Sequence, residues 1–292
     1  MGHALGKSIF GSFGPMNQAG QAPVPNAATG WARHSMRVAL LLLVCDMLLA
    51  DPAYNPATGP SLERETAARA KRTYAEALAQ HKKEPHDSET AWHFARACFD
   101  LGEFATNSTE RAAIAEEGVA ASRQVLVPDP NSAPGHYYLA MNLGQLARTK
   151  GLGALKLVDQ MEVEFGKARE LDEHFDYAGA DRHLGVLYRE APSVGSIGSR
   201  SKARKHLQRA AALAPEYPAN GLNLLESYLK WGDRNGARHE LKALESVWPK
   251  ARTKFAGQSW AATWADWDQR LKGAKKKVEE SYKAIEAPRQ KE

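Results

Sequence analysis

The sequence has few of the features that build disulfide-stapled, metal-clustered or membrane-spanning proteins. It contains 2 cysteines in 292 residues, too few for a disulfide framework or a cysteine-based zinc site. Its mean hydropathy is −0.50, and no apolar run reaches the ~20 residues that cross a bilayer, which excludes a polytopic membrane protein. The 39 basic and 34 acidic residues nearly balance. Such a mixed surface does not form the basic stripe of a nucleic-acid-binding protein.

Catalytic motifs are also missing. The sequence contains no His-Glu-x-x-His, no Gly-x-x-x-x-Gly-Lys and no Gly-x-Ser-x-Gly. His81 and His86 flank a proline and two lysines, which argues against a metal site. Cys98 stands in an apolar segment and is interpreted as a small buried hydrophobe rather than a nucleophile. We therefore predict a protein that is not an enzyme and that binds no cofactor or metal.

Residues 195–202 combine glycine, hydroxyl and basic residues just before a predicted helix, a composition that can bind an anion. No strand precedes them. They are interpreted as a loop in which Ser199 caps the next helix.

The first 50 residues have the character of a targeting segment. Residues 1–35 show no apolar period and are predicted to be a disordered tail or a mis-assigned start. Met36 and Arg37 precede a short, mostly apolar run, so residues 36–50 are predicted to be a signal peptide of a periplasmic or envelope-associated protein. Cys45 is a candidate for lipidation, because the four residues ending there resemble a lipobox. Simple secretion and a buried apolar helix remain alternatives.

After a linker over residues 51–60, a repeating pair of helices extends over residues 61–249. In its last unit, Gly221, Leu224 and Tyr228 share one helix face, and Ala237 follows Gly221 by sixteen residues. These offsets match the tetratricopeptide repeat. Pro249 is predicted to end the second helix of this unit.

The same frame recurs in three upstream units. The first helices carry the framework residues Trp92, Phe99, Leu139, Leu184, Gly185, Tyr188, Leu224 and Tyr228. The second helices carry Ala168, Ala203, Leu207, Ala210, Ala237 and Leu241. The inter-helix segments of the first three units are longer than standard, at residues 103–110, 148–157 and 190–198. Such insertions project from one side of a solenoid and commonly form a binding face.

The repeat stops after Pro249. Trp260, Trp264 and Trp267 are spaced i, i+4 and i+7, which predicts an apolar stripe on one helix. Residues 250–292 are therefore predicted to form a capping helix over 251–271, broken at Gly273, and a charged tail. An aromatic ligand site is the alternative.

Residues 136–144, 184–192, 196–204 and 223–233 resemble the T-component family of TRAP-type transporters and the related regulator-of-microtubule-dynamics family. The resemblance extends over about residues 88–248. It implies tetratricopeptide-like hairpins with long loops. For the T-component family it also implies a periplasmic, often lipid-anchored protein that partners a substrate-binding subunit.

The predicted fold is all-α: a right-handed α-solenoid of about four tetratricopeptide-like hairpins with long inter-helix loops and a C-terminal capping helix. The predicted function is a non-enzymatic binding scaffold of the bacterial envelope, with a cytoplasmic protein–protein adaptor as the alternative. Its concave groove is expected to hold another protein, such as a periplasmic substrate-binding subunit, or an apolar small molecule. Nucleic acid is not expected, and a homo-oligomer stays open.

Overall fold

The computed structural model describes residues 60–150 and 153–289, and this part of the chain is all-α. It forms ten α-helices and one short 3-10 helix, Gln258–Trp260. The predicted signal peptide and Cys45 lie outside the described residues. The helices are α1 Pro60–Lys83, α2 Ser88–Gly102, α3 Ser108–Leu126, α4 Ala133–Ala147, α5 Ala154–Leu171, α6 Phe175–Glu190, α7 Arg200–Leu213, α8 Pro218–Lys230, α9 Arg234–Lys254 and α10 Ala261–Arg289.

Side-chain caps begin most of the repeat helices. Asp87, Asn107, Ser132, Ser199 and Asp233 each accept a hydrogen bond from the backbone N–H three residues later. Such caps satisfy one of the unpaired donors at a helix start. Ser199 therefore has the capping role that the loop interpretation predicts.

The helices form four antiparallel hairpins: α2 with α3, α4 with α5, α6 with α7, and α8 with α9. The first helices of neighbouring hairpins contact each other, and each second helix also packs on the first helix of the next hairpin. The helix α1 covers the beginning of this stack, and α10 packs on α8 and α9 at its end. The predicted all-α solenoid with a C-terminal capping helix is confirmed.

The framework residues lie where helices approach most closely. All of them are buried except Trp92, which is half-buried and stacks on Tyr138 with ring centroids 5.9 Å apart. Gly185 shows why a small residue is needed, because a Cβ there would lie 2.5 Å from Leu207 Cγ. The second helix of that hairpin could not sit as close to any larger residue.

The inserted segments are only partly loop. The inserted residues 108–110 belong to α3 and 154–157 to α5. The inserted residues are therefore divided between the second helices and the connections before them.

The prediction that Pro249 ends its helix is wrong. The helix α9 continues through Pro249 to Lys254. Proline removes one backbone hydrogen bond from a helix. Here the next turns carry Ala251 and Phe255, both buried, and the Phe255 ring packs against Trp260 and Tyr217. Burial of these side chains outweighs the lost bond.

The predicted bounds of the capping helix also need correction. It begins at Ala261 rather than 251, and Gly273 lies inside it instead of breaking it. A glycine costs about 1 kcal/mol in a helix interior, and the buried Ala274 and Val278 beyond it offset that cost. Among the described residues no helix is both long and apolar enough to cross a membrane.

The tryptophan stripe covers the last hairpin, but only Trp264 and Trp267 lie on the capping helix. Trp260 is half-buried in the preceding 3-10 helix. Trp267 is fully buried and meets Tyr217 edge-on, with centroids 5.4 Å apart. Trp264 is buried and meets Trp248 edge-on at 5.5 Å. These contacts make the stripe part of the core rather than an open ligand site.

Candidate partner-binding cleft

A cleft of about 590 Å³ opens between α6, α8 and α10. Arg189 and Glu190 end α6, while Glu226 and Lys230 lie one turn apart on α8. From α10 come Arg270 and Lys277. Leu229 and Ala274 are also part of the lining, so charged side chains surround a small apolar area.

Glu190 ties α6 to α8. Its side chain is only 4% exposed, and it accepts hydrogen bonds from Arg189 Nε at 2.5 Å and Lys230 Nζ at 2.6 Å. Arg189 also donates to Ser227 Oγ at 2.9 Å. A buried carboxylate held by two cations is satisfied in its charged form.

Arg270 ties α10 to α8 in the same way. Its guanidinium donates to both carboxylate oxygens of Glu226, at 2.8 and 2.9 Å, and to Asn223 Oδ1 at 2.7 Å. Asp266 approaches it at 3.5 Å. Burial disfavours both charged groups, but Glu226 and Asp266 raise the pKa of Arg270. The same Arg270 lowers the pKa of Glu226 against its burial.

Two ammonium groups remain accessible in this cleft. Lys230 keeps 48% of its side chain exposed, and Lys277 is exposed. Within residues 60–150 and 153–289, Lys277 has no hydrogen bond or ion pair. We name this region the inner cleft. It combines buried ion pairs with two exposed lysine side chains: Lys230, which also holds Glu190, and Lys277, which has no ion pair among the described residues. Such chemistry suits a carboxylate-bearing segment better than an apolar small molecule.

A strained turn at the start of α6 has no signal in the sequence. Asp176, Tyr177 and Ala178 have φ values of 50, 56 and 61°. Left-handed backbone costs roughly 1–2 kcal/mol per non-glycine residue. Arg182 offsets part of this cost, because it donates to the Asp176 side chain at 2.6 Å and to the Tyr177 carbonyl at 3.3 Å. Asn220 also donates to the Tyr177 carbonyl, at 2.9 Å.

The turn positions two tyrosines between hairpins. Tyr137 Oη donates to Asp176 Oδ2 at 2.5 Å, and burial, followed by the Asp176 charge, raises the pKa of Tyr137. Tyr177 stacks on Tyr217, with centroids 4.6 Å apart and planes 7° from parallel. The strained backbone thus joins the second, third and fourth hairpins.

The other residues singled out in the sequence have structural roles. Cys98 is fully buried, and burial raises the pKa of its thiol, so the reactive thiolate is disfavoured. In the segment 195–202, Arg200 stacks on Trp231 at 5.3 Å. The part of the chain that the structure describes contains no group of side chains arranged to hold a metal.

Comparison with one solved TPR structure supports the repeat fold, and a family model matches part of the chain. The family model for regulator of microtubule dynamics protein 1-3 matches residues 61–175. A thermophilic TPR protein of Thermus thermophilus is similar over 71% of this chain and 91% of its own, with 19% identity and a TM-score of 0.51. Yeast Tom70 is similar over 88% of this chain and 76% of its own, with 11% identity and a TM-score of 0.31. No curated protein matches the sequence significantly.

The chain therefore has a tetratricopeptide-like fold and a partial match to the regulator-of-microtubule-dynamics family. Membership of the T-component family is not confirmed.

Proposed function

We propose that this protein is a non-enzymatic scaffold whose inner cleft binds an extended, acidic segment of a partner protein. The observation that carries the proposal is the pair of accessible lysines, Lys230 and Lys277, beside a wall of buried ion pairs. The internal hydrogen bonds of Arg189 and Arg270 fix the surface behind these lysines, so that surface loses little conformational entropy when a ligand enters. No acid, base and nucleophile converge in this cleft.

We further propose that the protein acts in the bacterial envelope, as the partner of a transporter's substrate-binding subunit. The apolar run within residues 36–50 and the resemblance of the repeat phrases to the T-component family support this role. A cytoplasmic adaptor is the second candidate. The family match favours it, because that family is named for microtubules rather than for transport.

Partner binding is tested with a double variant, Lys230→Gln with Lys277→Glu, in which the glutamine can still donate to the buried Glu190. The variant is purified from native cells beside the wild type. The matched control is Lys276→Glu on α10, whose side chain is 77% exposed and lies outside the cleft. Quantitative mass spectrometry should show a partner lost from the double variant and retained by the control. Retention of every partner by both variants would remove the inner cleft from the proposal.

The compartment is tested by N-terminal sequencing of the native protein. A chain that begins near Asp51, or a lipidated Cys45, supports export. An intact Met1 in the soluble cytosolic fraction contradicts export and supports the adaptor.

A further inference from the structure

A second groove lies between α7 and α9. Both helices pack on α8, and in the described chain they do not contact each other. The space between them is about 340 Å³, and its apolar lining includes Ala211, Ala212, Leu224, Tyr228, Leu244 and Val247. On α8 this groove uses the face of Leu224 and Tyr228, whereas the inner cleft uses the face of Glu226 and Lys230. The two surfaces are therefore separate.

Glu240 places a carboxylate in this apolar groove. It lies against the backbone of α8, since a Cβ on Gly221 would be 2.9 Å from Glu240 Oε1. Glu240 forms no hydrogen bond or ion pair with any residue that the structure describes. Partial burial without a nearby cation raises its pKa to about 7. The groove therefore disfavours the charged form, and a donor or positive charge supplied by a partner would stabilise it.

The two ends of the groove carry opposite charges. Gln208 lines both this groove and a neighbouring opening of about 560 Å³ that is bordered by Arg200, Arg204 and Lys205. Arg204 is occupied, because it donates to Asp233 at 3.0 Å, whereas Lys205 is exposed and has no such contact within the described chain. One end of the surface is therefore basic, and the other holds an unpaired acid between apolar side chains.

We name the groove between α7 and α9 the outer groove. We propose that it is a docking site for an amphipathic helix of a partner protein, with a Lys or Arg of that helix pairing with Glu240. Charge complementarity identifies this occupant, because the groove needs a cation at one defined point and apolar side chains on both sides of it. Two helices that flank a third form the kind of trough into which an amphipathic helix packs. The basic end at Lys205 favours an acidic residue elsewhere on the same helix.

The test is selection from a displayed library of random peptides about as long as α7, which has 14 residues. Peptides selected on the wild-type protein should carry Lys or Arg at one fixed position, with apolar residues three or four positions away. Their affinity for Glu240→Gln should fall roughly tenfold or more, the loss expected for one charge-assisted hydrogen bond. Selection on Glu240→Lys should instead enrich Asp or Glu at that position.

Two controls make the result specific to this groove. Glu245→Gln removes the same charge from α9 at a residue that pairs with Lys275 at 2.7 Å, and it should not change peptide affinity. Lys277→Glu alters the inner cleft and should also leave affinity unchanged, which separates this site from the proposed function. Equal melting temperatures for the wild type and Glu240→Gln at low pH show that the variant is folded.

Three results would overturn the proposal: selected peptides without a fixed cation, equal affinity for the wild type and Glu240→Gln, or hydrogen-exchange protection confined to helices other than α7, α8 and α9. Selected peptides that match a segment of this chain would replace the partner helix with a second copy of the protein, and would equally overturn it.

Discussion

Replacing Glu240 by glutamine should stabilise the protein at high pH and not at low pH. The pKa of this carboxyl rises from 4.5 to about 7 on folding, so the folded state holds the proton more tightly than the unfolded chain. Between these two values the free energy of unfolding of the wild type therefore falls as pH rises. The stability is fully present below pH 4.5 and is lost through pH 7. Glutamine removes this dependence because it does not ionise.

The magnitude follows from the pKa difference and the openness of the groove. The difference alone corresponds to an upper limit of roughly 3 kcal/mol. Glu240 is only partly buried, so water screens the charge, and about 1–2 kcal/mol is the expected gain above pH 7. For a chain of this size that is an increase of about 2–8 °C in melting temperature.

The assay is chemical denaturation of the wild type, Glu240→Gln and the control Glu245→Gln, below pH 4.5 and above pH 7. Glu240→Gln should match the wild type in acid and exceed it in base, while the control should show no gain at either pH. An equal stability difference at both pH values would refute the reasoning, because the effect would not come from ionisation of Glu240.

The remaining predictions concern the core and its charges. Ala203→Asp should lower stability by about 3 kcal/mol or more, because its fully buried site would hold an unpaired carboxylate, while Ala243→Asp, at an exposed position, should melt like the wild type. Deleting residues 255–292 should cause aggregation and binding of a hydrophobic dye, since it removes the aromatic cover of the last hairpin. Arg270→Met should cost about 2–3 kcal/mol by stranding Glu226, and adding Glu226→Gln should recover part of the loss in denaturant melts.

Each of these predictions would be contradicted by a specific result. Equal melting of the two aspartate variants would mean that the repeat register is wrong. A soluble, monodisperse chain ending at Lys254 would mean that the tryptophans do not cap the solenoid, and they would become candidates for a partner surface. An Arg270→Met protein as stable as the wild type would mean that the ion pair contributes nothing to joining α8 and α10.

The order of residues along the chain is enough to predict the repeat and its small residues. Helical spacing reveals which residues share a face, and residues such as Gly185 and Ala203 recur where two helices must approach closely. The same periodicity located the tryptophan stripe of the capping helix. These features depend on neighbours along the chain, which is why a single sequence was enough to predict them.

Contacts between distant residues depend on how the helices pack, and local spacing does not predict them. Pro249 stays inside α9 because Phe255 packs into an aromatic cluster built from other helices, and the left-handed turn at Asp176 persists because Arg182 and Asn220 bind its carbonyls. Glu240 looks like any surface glutamate in the sequence. Its unusual pKa and its candidate role arise from burial between α7 and α9, since burial and the absence of a counter-charge are properties of packing rather than of local residue order.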